Sequence, residues 1–336
     1  MSHLTYAEAI VVGLIQGVTE LFPVSSLGHN VLIPALVGGS WGKDLNVSTK
    51  ESDYLAFIVG LHVATAIALT FYFWRDWVRI LRGFFTSFRA DFGRPVRIEN
   101  ADQKLAWMII LATIPVGIVG LALEHTFRTL FGVPKLAAAF LVVNGVLLFA
   151  GERFRPRKSR DADEQVLHER DQELELVGAG RVGGGAHSSG QRAIRQHEIA
   201  TAVQADRRIT SFSFWQALII GSAQCLALFA GISRDGVTMC AGMFRGLSRE
   251  DAARFAFLLA TPVILAAGVL KIGDLFGPLG NGIRPQILAG SIVSGVGAYL
   301  SVRFLMKYFQ TRTLTPFAIY CLVFGLGSLA YLEFIK

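Results

Sequence analysis

Apolar residues gather along the chain in long runs, at 53–74, 105–123, 136–151, 253–272, 286–302 and 315–334. Each approaches the roughly 20 residues that carry an α-helix across a bilayer, so six transmembrane helices are predicted. Two other apolar stretches, about 5–37 and 213–245, are broken in the middle. In the first, AIVVGLI gives way at residue 16 to QGVTELFPVSSLGH, where an acid, a proline, two serines, a glycine and a histidine interrupt the pattern. Such a stretch is too short to cross and return as two full helices. It is predicted to enter and leave the membrane on one side, because non-helical backbone at that depth survives only when buried in protein or lining a wet cavity. Between the apolar blocks, residues 152–212 are polar and charged, with Gly- and Ser-rich parts.

The pattern repeats. Shifted by 208 positions, Ala9 meets Ala217, Gly13 meets Gly221, Gln16 meets Gln224, Ser25 meets Ser233 and Gly28 meets Gly236. Two copies of one unit follow, 1–151 and 213–336, each a broken hairpin plus three spans. Three spans carry the chain to the opposite side, so the second copy starts there and the repeats are inverted. The fold class is all-α, a polytopic membrane protein. Paired interrupted segments in two such halves point to a site near the bilayer midplane.

Charge supports this order. Arg75, Arg79, Arg82, Arg89, Arg94, Arg97 and Lys104 fall in one loop, Arg153, Arg155, Arg157, Lys158 and Arg160 open the linker, and Arg303, Lys307 and Arg312 fall in a third loop. All three loops share one side in this topology; the other side has Lys43, Lys50, Arg128, Lys135, Lys271 and Arg284. The positive-inside bias places the first set, with the 152–212 linker, in the cytoplasm and both termini outside.

Composition agrees: 52% of the 336 residues are hydrophobic and 17% charged, against about a quarter charged in soluble domains. The net charge of +7 would suggest nucleic acid in a soluble chain. Here it sits in loops between spans, and no nucleic-acid motif accompanies it. The N-terminal apolar stretch lacks a basic n-region before Lys43, so no cleaved secretory signal is expected. Cys225, Cys240 and Cys321 match no zinc spacing and are expected as small buried hydrophobes. The linker is expected to be flexible, with a short surface helix in DADEQVLHERDQELELV. Its GAGRVGGG contains a G-x-G-x-x-G string but lacks the strand and βαβ unit that give that motif its mechanism.

The chemistry lies in the two hairpins. Gln16 and Glu20 are four residues apart and share a helix face. A carboxylate at membrane depth costs about 2.5–3.5 kcal/mol, which marks it as functional. Between Pro23 and Gly28, Ser25 and Ser26 offer hydroxyls and backbone N–H groups that suit an anion, and His29 follows. In the second hairpin, AGISRDG puts Arg234 at the place of Ser26, with Ser233 before it and Asp235 after. A guanidinium matches phosphate oxygens. Together these residues read as phosphate handling beside lipid. Two routes stay open: a serine nucleophile with His29 as base, or Glu20 holding Mg²⁺ or Ca²⁺ against a diphosphate. Arg234 neutralises the transferred group in either.

QGVTELFPVSSLGH, AGISRDGVTMCAGMFRGLSREDAARFAFLLATP and TPFAIY resemble the undecaprenyl-diphosphate phosphatase family, the bacitracin-resistance proteins. The resemblance covers both halves and leaves out the linker. It implies hydrolysis of undecaprenyl diphosphate to the monophosphate carrier lipid plus phosphate. That activity recycles a lipid carrier for cell-wall synthesis and confers bacitracin resistance. It also implies a plasma-membrane site open to the periplasmic or outer face and a divalent cation. Its motifs map to Gln16 and Glu20, to Ser26 and His29, and to Ser233 and Arg234, with Ser25 beside them on phosphate and Glu20, with Gln16, on metal. Gln16 stands where many members have Glu, Leu27 where Thr is common, Ala230 for Pro and Asp235 for Ser. The expected partners are a polyprenyl diphosphate, the bilayer and, as an open alternative, a second copy in a homodimer; no nucleic acid is expected. The competing reading is a transporter or flippase of a lipid phosphate or anionic solute, since inverted repeats with broken helices are also transporter architecture.

Overall fold

A computed structural model describes residues 4–45, 53–88, 96, 98–123, 132–181, 202–271, 273, 277 and 282–334. Lys50, Arg89, Arg94, Arg97 and Arg128, counted in the charge bias above, lie outside the described residues, as does 182–201 with the end of the glycine-rich string. The described chain is helical, in the order α1 (Tyr6–Thr19), α2 (Ser26–Val37), α3 (Gly39–Asp44), α4 (Asp53–Tyr72), α5 (Trp74–Thr86), α6 (Ala101–Ala122), α7 (Pro134–Arg153), α8 (Arg157–Arg181), α9 (Ala202–Thr210), α10 (Phe214–Ser222), a 3₁₀ turn (Ala223–Leu228), α11 (Arg234–Phe244), α12 (Arg249–Leu270), α13 (Arg284–Tyr308) and α14 (Thr315–Phe334).

Among the described residues, five helices are long and apolar enough to cross a membrane: α6, α7, α12, α13 and α14. They fall on five of the six expected spans. The sixth, at 53–74, forms α4 and then turns by 83° into α5, and α9 turns by 97° into α10 and the 3₁₀ turn; counting each bent pair as one span gives seven. The outward faces match a lipid solvent. Ile110, Ile114, Ile118 and Leu121 on α6, and Leu288, Ile292, Val296, Leu300 and Phe304 on α13, are exposed in stripes at helical spacing. In water such stripes would lose the burial that folds a chain; against acyl chains they lose nothing.

Each of the two helices in either broken segment begins on a side-chain cap. Thr5 and Glu8 form a capping box at the start of α1. Ser213 and Gln216 form another at the start of α10, 208 positions later. At the second helix of each segment, Ser25 Oγ accepts from the Gly28 amide and Ser233 Oγ accepts from the Gly236 amide. Each cap satisfies an N–H that a helix start leaves orphaned. Bonds of this kind matter most where water is scarce.

Packing between the halves is reciprocal. In the first half, α1 lies against α13; in the second, α10 lies against α6. Both contacts need glycine. A Cβ on Gly13 would sit 2.5 Å from the Gly290 carbonyl oxygen, and one on Gly221 would sit 2.1 Å from that of Ala112. Backbones at this distance gain dispersion that larger side chains would prevent. Gly221→Leu is therefore expected to destabilise the protein by at least about 2 kcal/mol. Purified protein in detergent should show it as a lower unfolding midpoint, and an unchanged midpoint would contradict the contact.

One end of the bundle is tied by ion pairs. Arg79 on α5 reaches Asp76 at 2.6 Å, Asp206 on α9 at 2.6 Å and Asp102 on α6 at 3.2 Å. Arg254 on α12 joins Asp206 at 3.0 Å and Asp76 at 2.9 Å. Nearby, Arg249 at the start of α12 pairs with Glu152 at the end of α7 and with Asp163 on α8. The short surface helix expected within 161–177 lies inside the longer α8, which docks here. The buried Ser159 donates to the Leu247 carbonyl at 2.6 Å, and Glu169 accepts from Arg208 at 2.7 Å.

Candidate active site

Glu20 caps the C-terminal end of α1, where Pro23 and the turn that follows stop the helix. Its carboxylate is buried and gathers partners from four helices. Gln16 Nε2, one turn back, donates to Oε2 at 2.8 Å. The Ser26 hydroxyl, at the start of α2, donates to the same oxygen. Arg234 Nη2, at the start of α11, donates to Oε1 at 2.8 Å. His62 on α4 completes the set, with Nε2 3.4 Å from Oε2. Glu20 and Arg234, 214 positions apart, thus form a direct ion pair. Burial away from water strengthens such a pair and makes the loss of either member costly, by about 3–5 kcal/mol.

The tips of the two broken segments touch through Ser25. This residue has φ 68°, a left-handed backbone that a non-glycine residue adopts at a cost of about 1–3 kcal/mol. The strain is offset by what the conformation permits. Ser25 Oγ accepts from the Gly28 amide at 3.3 Å and from the Gly231 amide at 3.2 Å, and the Ser25 carbonyl accepts from His29 Nδ1 at 2.7 Å. Gly231 itself has φ 109°, and a Cβ there would meet the Ala137 carbonyl oxygen at 2.3 Å. Asn144, buried at the middle of α7, clamps both tips. It donates to the Pro23 carbonyl at 3.0 Å and accepts from the Ser233 amide at 2.9 Å.

His29 is placed differently from the serine–histidine pair that the sequence suggests. Its Nδ1 faces the Ser25 carbonyl, so the proton sits there, and Nε2 accepts from the Tyr320 hydroxyl at 2.7 Å. The ring also stacks on Tyr320 and Phe324 of α14. The group bonded to the Ser26 hydroxyl is Glu20. Ser233 Oγ caps α11 through the Gly236 amide. Asn30 donates to Gln16 Oε1 at 2.7 Å and so fixes which end of that amide faces Glu20. Asp235 is buried, with Oδ1 3.5 Å from Arg234 Nε; its Oδ2 has no hydrogen-bond partner among the described residues.

Three participants escape a reading centred on the two motifs: His62, Asn144 and Tyr320. Each is a polar group inside an otherwise apolar run, and a polar residue at that depth is itself a signal. Which of them meets the hairpins is decided by packing of distant spans.

A bundle with lipid-facing stripes and a buried acid–arginine–serine cluster at the junction of two broken helices defines a multi-pass membrane protein built around a charged site. The chain belongs to the family described as bacitracin resistance protein BacA, whose family model matches residues 9–327. It is 57% identical to an undecaprenyl-diphosphatase of Mycolicibacterium paratuberculosis, over 98% of each chain. It is 52% identical to undecaprenyl-diphosphatase 2 of Frankia alni, over 97% of each. With undecaprenyl-diphosphatase 2 of Burkholderia ambifaria it shares 37% identity, over 96% of this chain and 95% of the relative.

Proposed function

We propose that this chain is an integral membrane phosphatase that hydrolyses undecaprenyl diphosphate to the monophosphate carrier lipid and inorganic phosphate. Its product returns to cell-wall synthesis, and its activity counters bacitracin. The names of its full-length relatives support the substrate. The observation that carries the chemistry is the meeting of the Ser26 hydroxyl and the Arg234 guanidinium on the two oxygens of Glu20.

In this reading Ser26 Oγ attacks the terminal phosphorus of the diphosphate while Glu20 Oε2 accepts its proton. The bond from that phosphorus to the bridging oxygen breaks, and the lipid leaves as its monophosphate. Arg234 faces the charge on the transferred group, where a fixed guanidinium in a dry site acts most strongly. Water then displaces Ser26 Oγ, which takes its proton back from Glu20, and phosphate leaves with the water's oxygen. His29 positions rather than reacts: its bond to the Ser25 carbonyl holds the strained turn that aims Ser26. Gln16 orients Glu20, and Ser25 and Ser233 order the turns around the phosphate.

The divalent cation implied by the resemblance suits the oxygen donors present. Glu20 and the unpartnered Asp235 Oδ2 would be hard ligands of the kind Mg²⁺ and Ca²⁺ prefer, and the Gln16 amide oxygen would join them only by leaving Asn30. When bound there, the ion would screen the diphosphate charge.

The same reading makes the two halves inverted repeats with re-entrant hairpins. Matching caps 208 positions apart and the exchange of α1 and α10 onto each other's half support it. The ion-paired end, rich in arginine, is then cytoplasmic in the plasma membrane, both termini lie outside, and the site opens to the outer face. Purified protein in liposomes is expected to release phosphate from undecaprenyl diphosphate, with at least about a tenfold loss after chelation by EDTA. Absence of release, together with movement of intact lipid phosphate between leaflets, would favour the transporter reading instead.

A further inference from the structure

A second cluster of cationic groups lies well away from the catalytic junction. A cavity of about 240 Å³ is lined by Phe149, Glu152, Arg153, Arg155, Arg160 and Thr315. Drug-sized ligands occupy pockets of about 300–1,000 Å³, so this one fits a smaller group. Its charge is positive: three guanidinium groups face one carboxylate. That carboxylate is already engaged, since Glu152 accepts from Arg249 Nε at 3.1 Å and from the Leu314 amide at 3.2 Å. Arg155 is tied to Asp163. Arg153 and Arg160 are exposed and have no carboxylate partner among the described residues. Thr315 opens the 20-residue α14, so the positive end of that helix also faces the cavity.

The depth of the cavity narrows the class of ligand. Asn144 marks the level of the hairpin tips, and Arg153 is nine residues further along α7, about 13 Å at the helical rise. Half of the hydrocarbon core is about 15 Å, so with the tips near the midplane, as the proposed topology has them, Arg153 reaches the level of phosphate headgroups. Phe149, one turn back on α7, is exposed and continues the wall toward the apolar core. The Arg153 guanidinium also sits over the exposed Phe154 ring, 5.8 Å from its centroid, as an interfacial anchor does.

We propose that this cavity is a binding site for a phosphoryl anion, separate from the catalytic junction, with Arg153 and Arg160 as its free cations. The group it holds is either the phosphodiester of an anionic phospholipid or free inorganic phosphate. The double variant Arg153→Gln/Arg160→Gln tests it, with an unchanged unfolding midpoint as the check on folding. In neutral detergent, native mass spectrometry with added phosphatidylglycerol is expected to show at least a fivefold loss of retained lipid in the variant, which identifies the headgroup. Alternatively, titration with inorganic phosphate in phosphatidylcholine nanodiscs loses one binding event in the variant, which identifies the free ion. Lipid retention and phosphate binding both equal to wild type would overturn the site. So would a phosphate signal that survives the double variant and disappears only in Arg234→Ala, because it would belong to the catalytic junction.

Discussion

Alanine at Ser26 is expected to lower phosphate release from undecaprenyl diphosphate by at least about 10³-fold. The hydroxyl is the nucleophile in the mechanism above, and its hydrogen bond to Glu20 Oε2 supplies the base. Removing it takes away a small group that donates into a pocket with other donors. Gln16 and Arg234 still hold the carboxylate, so the fold should persist. A single-turnover experiment with labelled lipid adds a sharper readout: the wild type should pass through a phosphorylated protein, and the variant should not. If Ser26→Ala kept activity within tenfold of wild type, water would be the attacking group and Ser26 only a ligand of Glu20.

The second large effect belongs to Arg234. Its replacement by alanine is expected to cost about 10³-fold in kcat/KM, the scale seen when an arginine that faces a transferred phosphoryl group is removed. The variant also leaves Glu20 with one neutralising partner fewer at depth, at about 3–5 kcal/mol. Loss of folding could therefore imitate loss of chemistry. The double variant Glu20→Gln/Arg234→Ala removes both charges together and should restore the unfolding midpoint without restoring activity. Recovery of activity in the double variant would show that Arg234 serves only to neutralise Glu20.

The spans were legible because a bilayer imposes a length. Runs at 105–123, 136–151, 253–272, 286–302 and 315–334 each contain the apolar centre of an observed helix. Their ends were less so. Helix α12 begins at Arg249, four residues before the apolar run, because Ser248 caps it and Glu250 and Asp251 favour its first turn. The sharp turn between α4 and α5 carries neither proline nor glycine at Phe73, so no local signal announces it. Tertiary packing decides it instead: Asp76 and Arg79 turn inward to the ion pairs, while Trp74, Val78, Leu81 and Phe85 face outward.

In the site, Glu20, Ser26 and Arg234 stood out because polar groups interrupt apolar runs, and the repeat paired their segments. The partner of His29 was not legible in the same way. Tyr320 lies 291 positions away, on a span whose contact with α2 depends on how the two halves fit. Asn144 has the same character. Its side chain bonds to backbone groups at Pro23 and Ser233, so its role depends on where two distant turns come to rest.

The glycine contacts at Gly13 and Gly221 bear on how such a chain can change over time. Helices α1 and α10 are each fitted to a long helix of the opposite half, against Gly290 and Ala112. A half taken from one homologue and joined to the complementary half of another would bring mismatched surfaces together at both seams at once. Drift in either half is thereby tethered to drift in its counterpart, and neither can explore new packing surfaces alone.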